Sequence, residues 1–165
     1  MIRQATLSDL NAIMDMIKDV VTQMNSEGND QWSSDYPLKS DFEKDVKSGT
    51  LHIIELDNEV KGIICVDSNV PDEYNTLKWP VNDNVLVVHR MAVGVNARGM
   101  GIGKKLLEFA ENLAHKSGVT YLKTDTNSKN MAMNGLFIKL GYEKIGDISF
   151  MGRETAFYCY GKSLK

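Results

Sequence analysis

The sequence predicts a single α/β (α+β) domain, a mixed central β-sheet flanked by about four helices, and three observations carry that prediction. Strand-patterned and helix-patterned segments follow one another in the order β-α-α-β-β-β-α-β-α-β-β, which mixes hairpin-joined strands with strands reached through a helix. At 165 residues, 42% hydrophobic and 25% charged, the chain can bury one core without staples. A strand-like run ending in HRMAV passes through a glycine-rich loop straight into a helix-patterned segment, the layout of a phosphate cradle.

In chain order, residues 2–5 read as a short strand, with Thr6 and Ser8 as helix caps and Asp9 in capping-box position. Leu10, Ile13, Met14, Ile17, Val20, Val21 and Met24 recur at three- and four-residue steps, predicting a helix with one apolar stripe that ends near 25–28. Residues 29–39 are polar, hold Pro37, and display Trp32 and Tyr36 without a period, so they read as a loop. These two aromatics either wedge the loop against the core or line a pocket for the apolar part of a ligand. Ser40 and Glu43 predict a second capping box for a short helix at 41–47, stopped by Gly49.

The β-branched runs at 50–56 and 60–67 flank Asp57-Asn58-Glu59, predicting a hairpin. Residues 68–84, with Pro71, Pro80, Glu73, Tyr74 and Trp79, form an excursion before the next strand. Beyond the glycine loop a helix runs to a stop at Lys116-Ser117-Gly118. Residues 120–126 alternate as a strand, 131–140 read as a helix closed by Gly141, and runs at 144–150 and 155–160 finish the sheet, with a hairpin expected at 151–154.

Composition excludes several function classes. A net charge of −3 argues against bulk nucleic-acid binding. No apolar run approaches the roughly 18 residues of a membrane span. Met1 leads at once into IRQATLSDL, which lacks the basic-then-apolar layout of an export signal, so a cytoplasmic protein is expected. Cys65 and Cys159 lack CxxC or Cys/His spacing and read as core thiols; no metal site is expected.

The loop Arg98-Gly99-Met100-Gly101-Ile102-Gly103, followed by Lys104, does not match the common nucleotide motifs. It lacks the GxxxxGK[ST] spacing, and a dinucleotide fingerprint beginning at Gly99 requires glycine where Lys104 stands. What fits is Arg98-x-x-Gly101-x-Gly103, which resembles the pyrophosphate loop of the GNAT family of N-acetyltransferases. The resemblance continues in His89-Arg90-Met91-Ala92-Val93, similar to that family's fourth strand. It extends through residues 122–141, where Asn130 precedes Leu136-Phe137-Ile138-Lys139-Leu140-Gly141-Tyr142, and residues 6–10 are similar to the family's usual start.

The resemblance implies a GNAT fold with the sheet splayed between its fourth and fifth strands, and acetyl-CoA as co-substrate. Backbone N–H groups of Gly99, Met100, Gly101, Ile102, Gly103 and Lys104 would cradle the pyrophosphate, with charge from Arg98 and Lys104. The opened edge at Met91, Ala92 and Val93 would hydrogen-bond pantetheine and polarise the thioester, Asn130 would hold pantetheine from the other side, and Phe137 would complete the cofactor site. The implied activity is direct attack of a primary amine of a small molecule on acetyl-CoA in a ternary complex. A homodimer is compatible with this, and neither nucleic acid nor membrane is expected as a partner.

Two departures from the family pattern stand out. Phe137 occupies the position of the family's proton-donating tyrosine, and Val87 that of a strand carboxylate found in some members. By strand alternation His89 is expected on the same face as Val87 and Met91. It is then a candidate proton acceptor, against the alternative of a histidine hydrogen-bonded inside the sheet; Glu73 is a second candidate. Trp32, Tyr36 and Tyr74 are the expected acceptor-binding residues. A non-catalytic acyl-CoA-binding or sensor protein and a protein or peptide N-acetyltransferase remain the alternatives.

Overall fold

The computed structural model describes residues 1–150, 152 and 154–164. Seven strands form one sheet: β1 (Ile2–Gln4), β2 (Leu51–Leu56), β3 (Glu59–Asp67), β4 (Val85–Val93), β5 (Tyr121–Asn127), β6 (Glu143–Ile148) and β7 (Phe157–Ser163). Four helices flank it: α1 (Leu10–Ser26), α2 (Lys39–Lys47), α3 (Ile102–Lys116) and α4 (Met131–Lys139). The expected element order holds throughout. The strand order is β1-β2-β3-β4-β5-β7-β6, antiparallel except for the parallel pair β4–β5.

The amphipathic faces decide the layering. Leu10, Ile13, Ile17 and Val20 of α1 pack with Trp32 and Phe42 onto Ile53, Ile63, Cys65 and Ala92. On the opposite face Ile102, Leu106, Leu107, Ala110 and Ala114 of α3 cover Ile54, Ile64, Val66 and Val88. Gly62 permits this approach, because a Cβ there would lie 2.9 Å from Ile102 Cγ2 and 3.1 Å from the Ala92 carbonyl. A third cluster gathers Tyr74, Trp79, Val85, Val87, Tyr121 and Phe157 beneath the 68–84 excursion, where Tyr74 and Trp79 stack at 5.1 Å. Cys65 and Cys159 are buried free thiols, both pushed up in pKa by burial.

Two local expectations change. The first turn of α2 is capped by Asp41, whose carboxylate accepts the Leu38 N–H at 2.7 Å; the helix begins at Lys39, two residues before expected, so Ser40 and Glu43 both fall inside the helix and do not form a box. The β2–β3 turn is two residues long, with Asp57 and Asn58 at φ 55° and 63°, as a right-twisted hairpin favours. Strands β6 and β7 pair antiparallel, whereas the hairpin expected at 151–154 rests on Met151 and Arg153, outside the described residues.

Candidate active site

The β4–β5 ladder runs from Val85↔Tyr121 to Val88↔Thr124 and stops there. Thr124 Oγ1 donates to the Val88 carbonyl at 3.0 Å, closing the apex, and beyond it the strands diverge. At the same point β4 carries a bulge against β3: Ile64 pairs with Met91 and Val66 with Val88, so Cys65 faces both His89 and Arg90. The bulge corrects the expected alternation. His89 and Arg90 both reach groups on the α1 and α2 side, Asp67 and Asp45, while Met91 packs on the α3 side, opposite to Val87.

Three cavities run through the splay. The largest, about 480 Å³, lies between β4, the glycine loop, α3 and α4, and is lined by Met91, Ala92, Val93, Arg98, Gly99, Gly101, Ile102, Gly103, Lys104 and Asn130. A narrow passage of about 20 Å³ shares Met24, Met91, Asn130 and Met133 with it. That passage shares Gln31, Trp32, His89 and Asp125 with a third cavity of about 240 Å³, which Tyr36, Arg90, Phe150 and Phe157 complete.

The loop geometry fits an anion. Gly99 and Gly101 have φ of 79° and 74°, a conformation that favours glycine, and Gly101 is the N-cap of α3. The first bond spanning from the cap is Lys105 N–H to the Gly101 carbonyl at 3.1 Å, which leaves the N–H groups of residues 102–104 without a helical acceptor at the positive end of the dipole. Gly103 is needed for a different reason: a Cβ would meet Leu136 Cδ2 at 2.8 Å. Met100, expected in the cradle, is half exposed and does not line the cleft. Asn130 caps α4, accepting the Met133 N–H at 3.1 Å.

At the far cavity, His89 Nε2 and Asp67 Oδ1 lie 2.6 Å apart. Arg90 forks onto Asp45 at 2.6 and 2.7 Å and donates Nη1 to the Tyr36 hydroxyl at 2.9 Å, tying β4 to α2 and to the aromatic loop. Trp32 packs in the α1 core and also walls the passage. Phe137 lines the passage but not the large cleft, and packs against Tyr160 and Tyr142 at 5.1 and 5.5 Å.

Two expected acceptor-site residues lie elsewhere. Tyr74 has no exposed surface and lines none of the three cavities, because it fills the core under the excursion; its hydroxyl donates to Asp125 Oδ2. Glu73, beside it, lines none of them either. The carboxylate that does reach the site, Asp125, escaped sequence reasoning, as did Gln31, Arg90, Phe150 and Phe157. Burial pushes the Asp125 carboxyl up to about 6, while the Tyr74 hydrogen bond and the nearby His89 act in the opposite direction. A charged residue in the middle of the strand TYLKTDT was the available signal.

No helix among the described residues is long and apolar enough to cross a membrane. A sequence profile described as the acetyltransferase (GNAT) family matches residues 14–142. The uncharacterised N-acetyltransferase YesJ of Bacillus subtilis strain 168 is 23% identical over 160 residues, covering 93% of this chain and 84% of that protein. An acetyltransferase of the GNAT family from Streptococcus agalactiae 2603 superposes with a TM-score of 0.87 at 24% identity, covering 100% of this chain and 95% of that one. A ribosomal-protein-alanine N-acetyltransferase from Brucella melitensis does so with a TM-score of 0.71 at 23% identity, with 99% of each chain covered. The matched span contains the glycine loop, the splayed strands and Asn130, so sequence and architecture agree that the chain belongs to the GNAT family of acetyltransferases.

Proposed function

We propose that the protein is an acetyl-CoA-dependent N-acetyltransferase that modifies a primary amine of a small molecule by direct attack in a ternary complex. The observation that carries this reading is the pair of cavities meeting at the β4–β5 apex, one with an anion cradle and the other walled by aromatics. Direct transfer requires two ligands to enter separately and touch at one point. A far cavity of about 240 Å³ suits a small acceptor better than a protein segment.

Acetyl-CoA supplies the electrophilic thioester. The N–H groups at the start of α3 hold its pyrophosphate, and Arg98 and Lys104 add charge. The edge of β4 at Met91, Ala92 and Val93, unpaired on its β5 side, offers backbone hydrogen bonds to pantetheine, and Asn130 approaches from α4. His89 and Asp125 stand where the acceptor must pass.

Phe137 favours a second reading, an acyl-CoA sensor, because it leaves the passage without a phenol at that position. A thiol-release assay over an amine panel, with initial rates measured at varied concentrations of both substrates, separates the two. Turnover with intersecting double-reciprocal lines is expected. Tight acetyl-CoA binding with no thiol release on any amine would instead establish the sensor.

A further inference from the structure

The charges around the far cavity are balanced unevenly. Arg90 has Asp45 and His89 has Asp67, each carboxylate behind the cavity wall. Asp125 lines that wall with only a neutral hydroxyl on Oδ2, and among the described residues no cation lies within ion-pair distance of it. It is also the first β5 residue past the ladder, directly across the apex from His89, and it borders the passage to the thioester side.

Building on the transferase reading, we propose that Asp125 is the carboxylate on which the acceptor ammonium docks and to which it yields its proton, and that this acceptor is an amine on an apolar body with no carboxylate beside it. The aromatic walls, Trp32, Tyr36, Phe150 and Phe157, take the body. An acceptor carboxylate would face Asp125, and among the described residues the guanidinium lining that cavity, Arg90, is already paired with Asp45.

The step balances. The bound R–NH3⁺ gives one proton to Asp125, which releases it to solvent. The nitrogen lone pair forms the C–N bond at the thioester carbonyl. The C–S bond then breaks with its electron pair on sulfur, and the second nitrogen proton passes to that thiolate, giving the amide and free thiol.

Among the described residues four titratable groups face Asp125: Tyr74 and Glu73 from the excursion, His89 from β4, and Cys159 opposite it on β7. The carboxyl, held up by burial at about 6, is largely ionised at neutral pH. The Tyr74 bond opposes that rise, so Tyr74→Phe raises the pKa further.

The experiment pairs 2-phenylethylamine with phenylalanine and tyramine with tyrosine, with acetyl-CoA binding followed calorimetrically. Carboxyl NMR of the ligand-free protein follows Asp125 itself, and thermal melts check folding of each variant. The amines are expected to exceed their carboxylated twins at least about 100-fold in kcat/KM, and Asp125→Asn to lose a similar factor together with the acidic limb near pH 6. Tyr74→Phe retains the carboxylate, and both the limb and the NMR midpoint move to higher pH. A folded Asp125→Asn that keeps its rate and limb, or equal rates on the twins, overturns the inference and leaves the transferase reading standing. If the amines are not turned over although acetyl-CoA binds, the inference fails; if acetyl-CoA does not bind, the underlying reading fails as well.

Discussion

Thr124 locks onto the Val88 carbonyl at 3.0 Å as the last link between β4 and β5, and everything chemical in the molecule lies just past that link. A sheet that stayed paired would bury His89 and Asp125 side by side. Ending the ladder there turns two strand interiors into the walls of a passage.

The Asp125 carboxyl makes this site unstable by design. Its folded pKa, about 6, exceeds the roughly 3.9 of an unfolded aspartate. Between those values the folded chain holds a proton the unfolded chain has released, so stability falls as pH rises through this window and stays lower above it. Asp125→Asn keeps an oxygen for the Tyr74 hydroxyl and removes the penalty. Urea unfolding at pH 7.5 is expected to show the variant about 1–3 kcal/mol more stable than wild type, with the gap closing near pH 4.

Asp45 has a structural duty. Its carboxylate, 9% exposed, is the ion-pair partner of Arg90, whose side chain is 20% exposed. Asp45→Ala strands that guanidinium and is expected to cost about 3–5 kcal/mol in chemical denaturation. Cofactor binding in protein that remains folded is expected to change little, since neither residue borders the large cleft.

Gly103→Ala drives a methyl to within 2.8 Å of Leu136 Cδ2. The Leu136 side chain or the start of α3 must give way, at about 1–3 kcal/mol. Calorimetry is expected to show acetyl-CoA affinity falling roughly ten- to hundredfold as the cradle moves.

Phe137→Tyr tests whether the leaving thiolate needs a proton donor. The passage beside it, about 20 Å³, has room for one hydroxyl. General acids contribute about 10²–10⁴-fold where they are needed. We expect kcat to rise less than about tenfold, because a thiolate departs without much help; a rise of about 100-fold would show that wild type lacks an acid it requires.

His89→Ala leaves Asp67 without its partner and changes the charge near Asp125. The acidic limb of kcat/KM is expected to persist, displaced upward, because the pull of His89 on Asp125 is lost. Disappearance of that limb would make His89 the proton acceptor. Unchanged rate and profile would remove it from the mechanism.

The sheet, helix order and glycine loop were legible because each rests on short-range signals: the periodicity of α1, the Asp57-Asn58 turn, the spacing from Arg98 to Gly103. The far cavity was not, because it is assembled by pairing. Asp125 reaches it only because the ladder stops at Thr124, Arg90 is held there by a partner 45 residues away, and Phe150 and Phe157 arrive from the last part of the chain, where β7 pairs with β5. Tyr74 misled for the converse reason. An aromatic in an irregular stretch looks available to ligand, yet here it plugs a core with a Trp79 stacked on it.

The extra residue at His89–Arg90 joins two rulers out of phase. Upstream, β4 measures its side chains against the excursion; downstream, Met91 and Val93 are counted against α3 and α4. Removing one of the two residues would rotate the remainder of the strand by half a turn, swinging the Met91 and Val93 side chains toward α1 and the Ala92 methyl from the α1 core to the α3 side. Substitutions that keep the count leave each half in step with its own neighbours. The acceptor end of β4 can therefore be altered without resetting the edge that holds pantetheine.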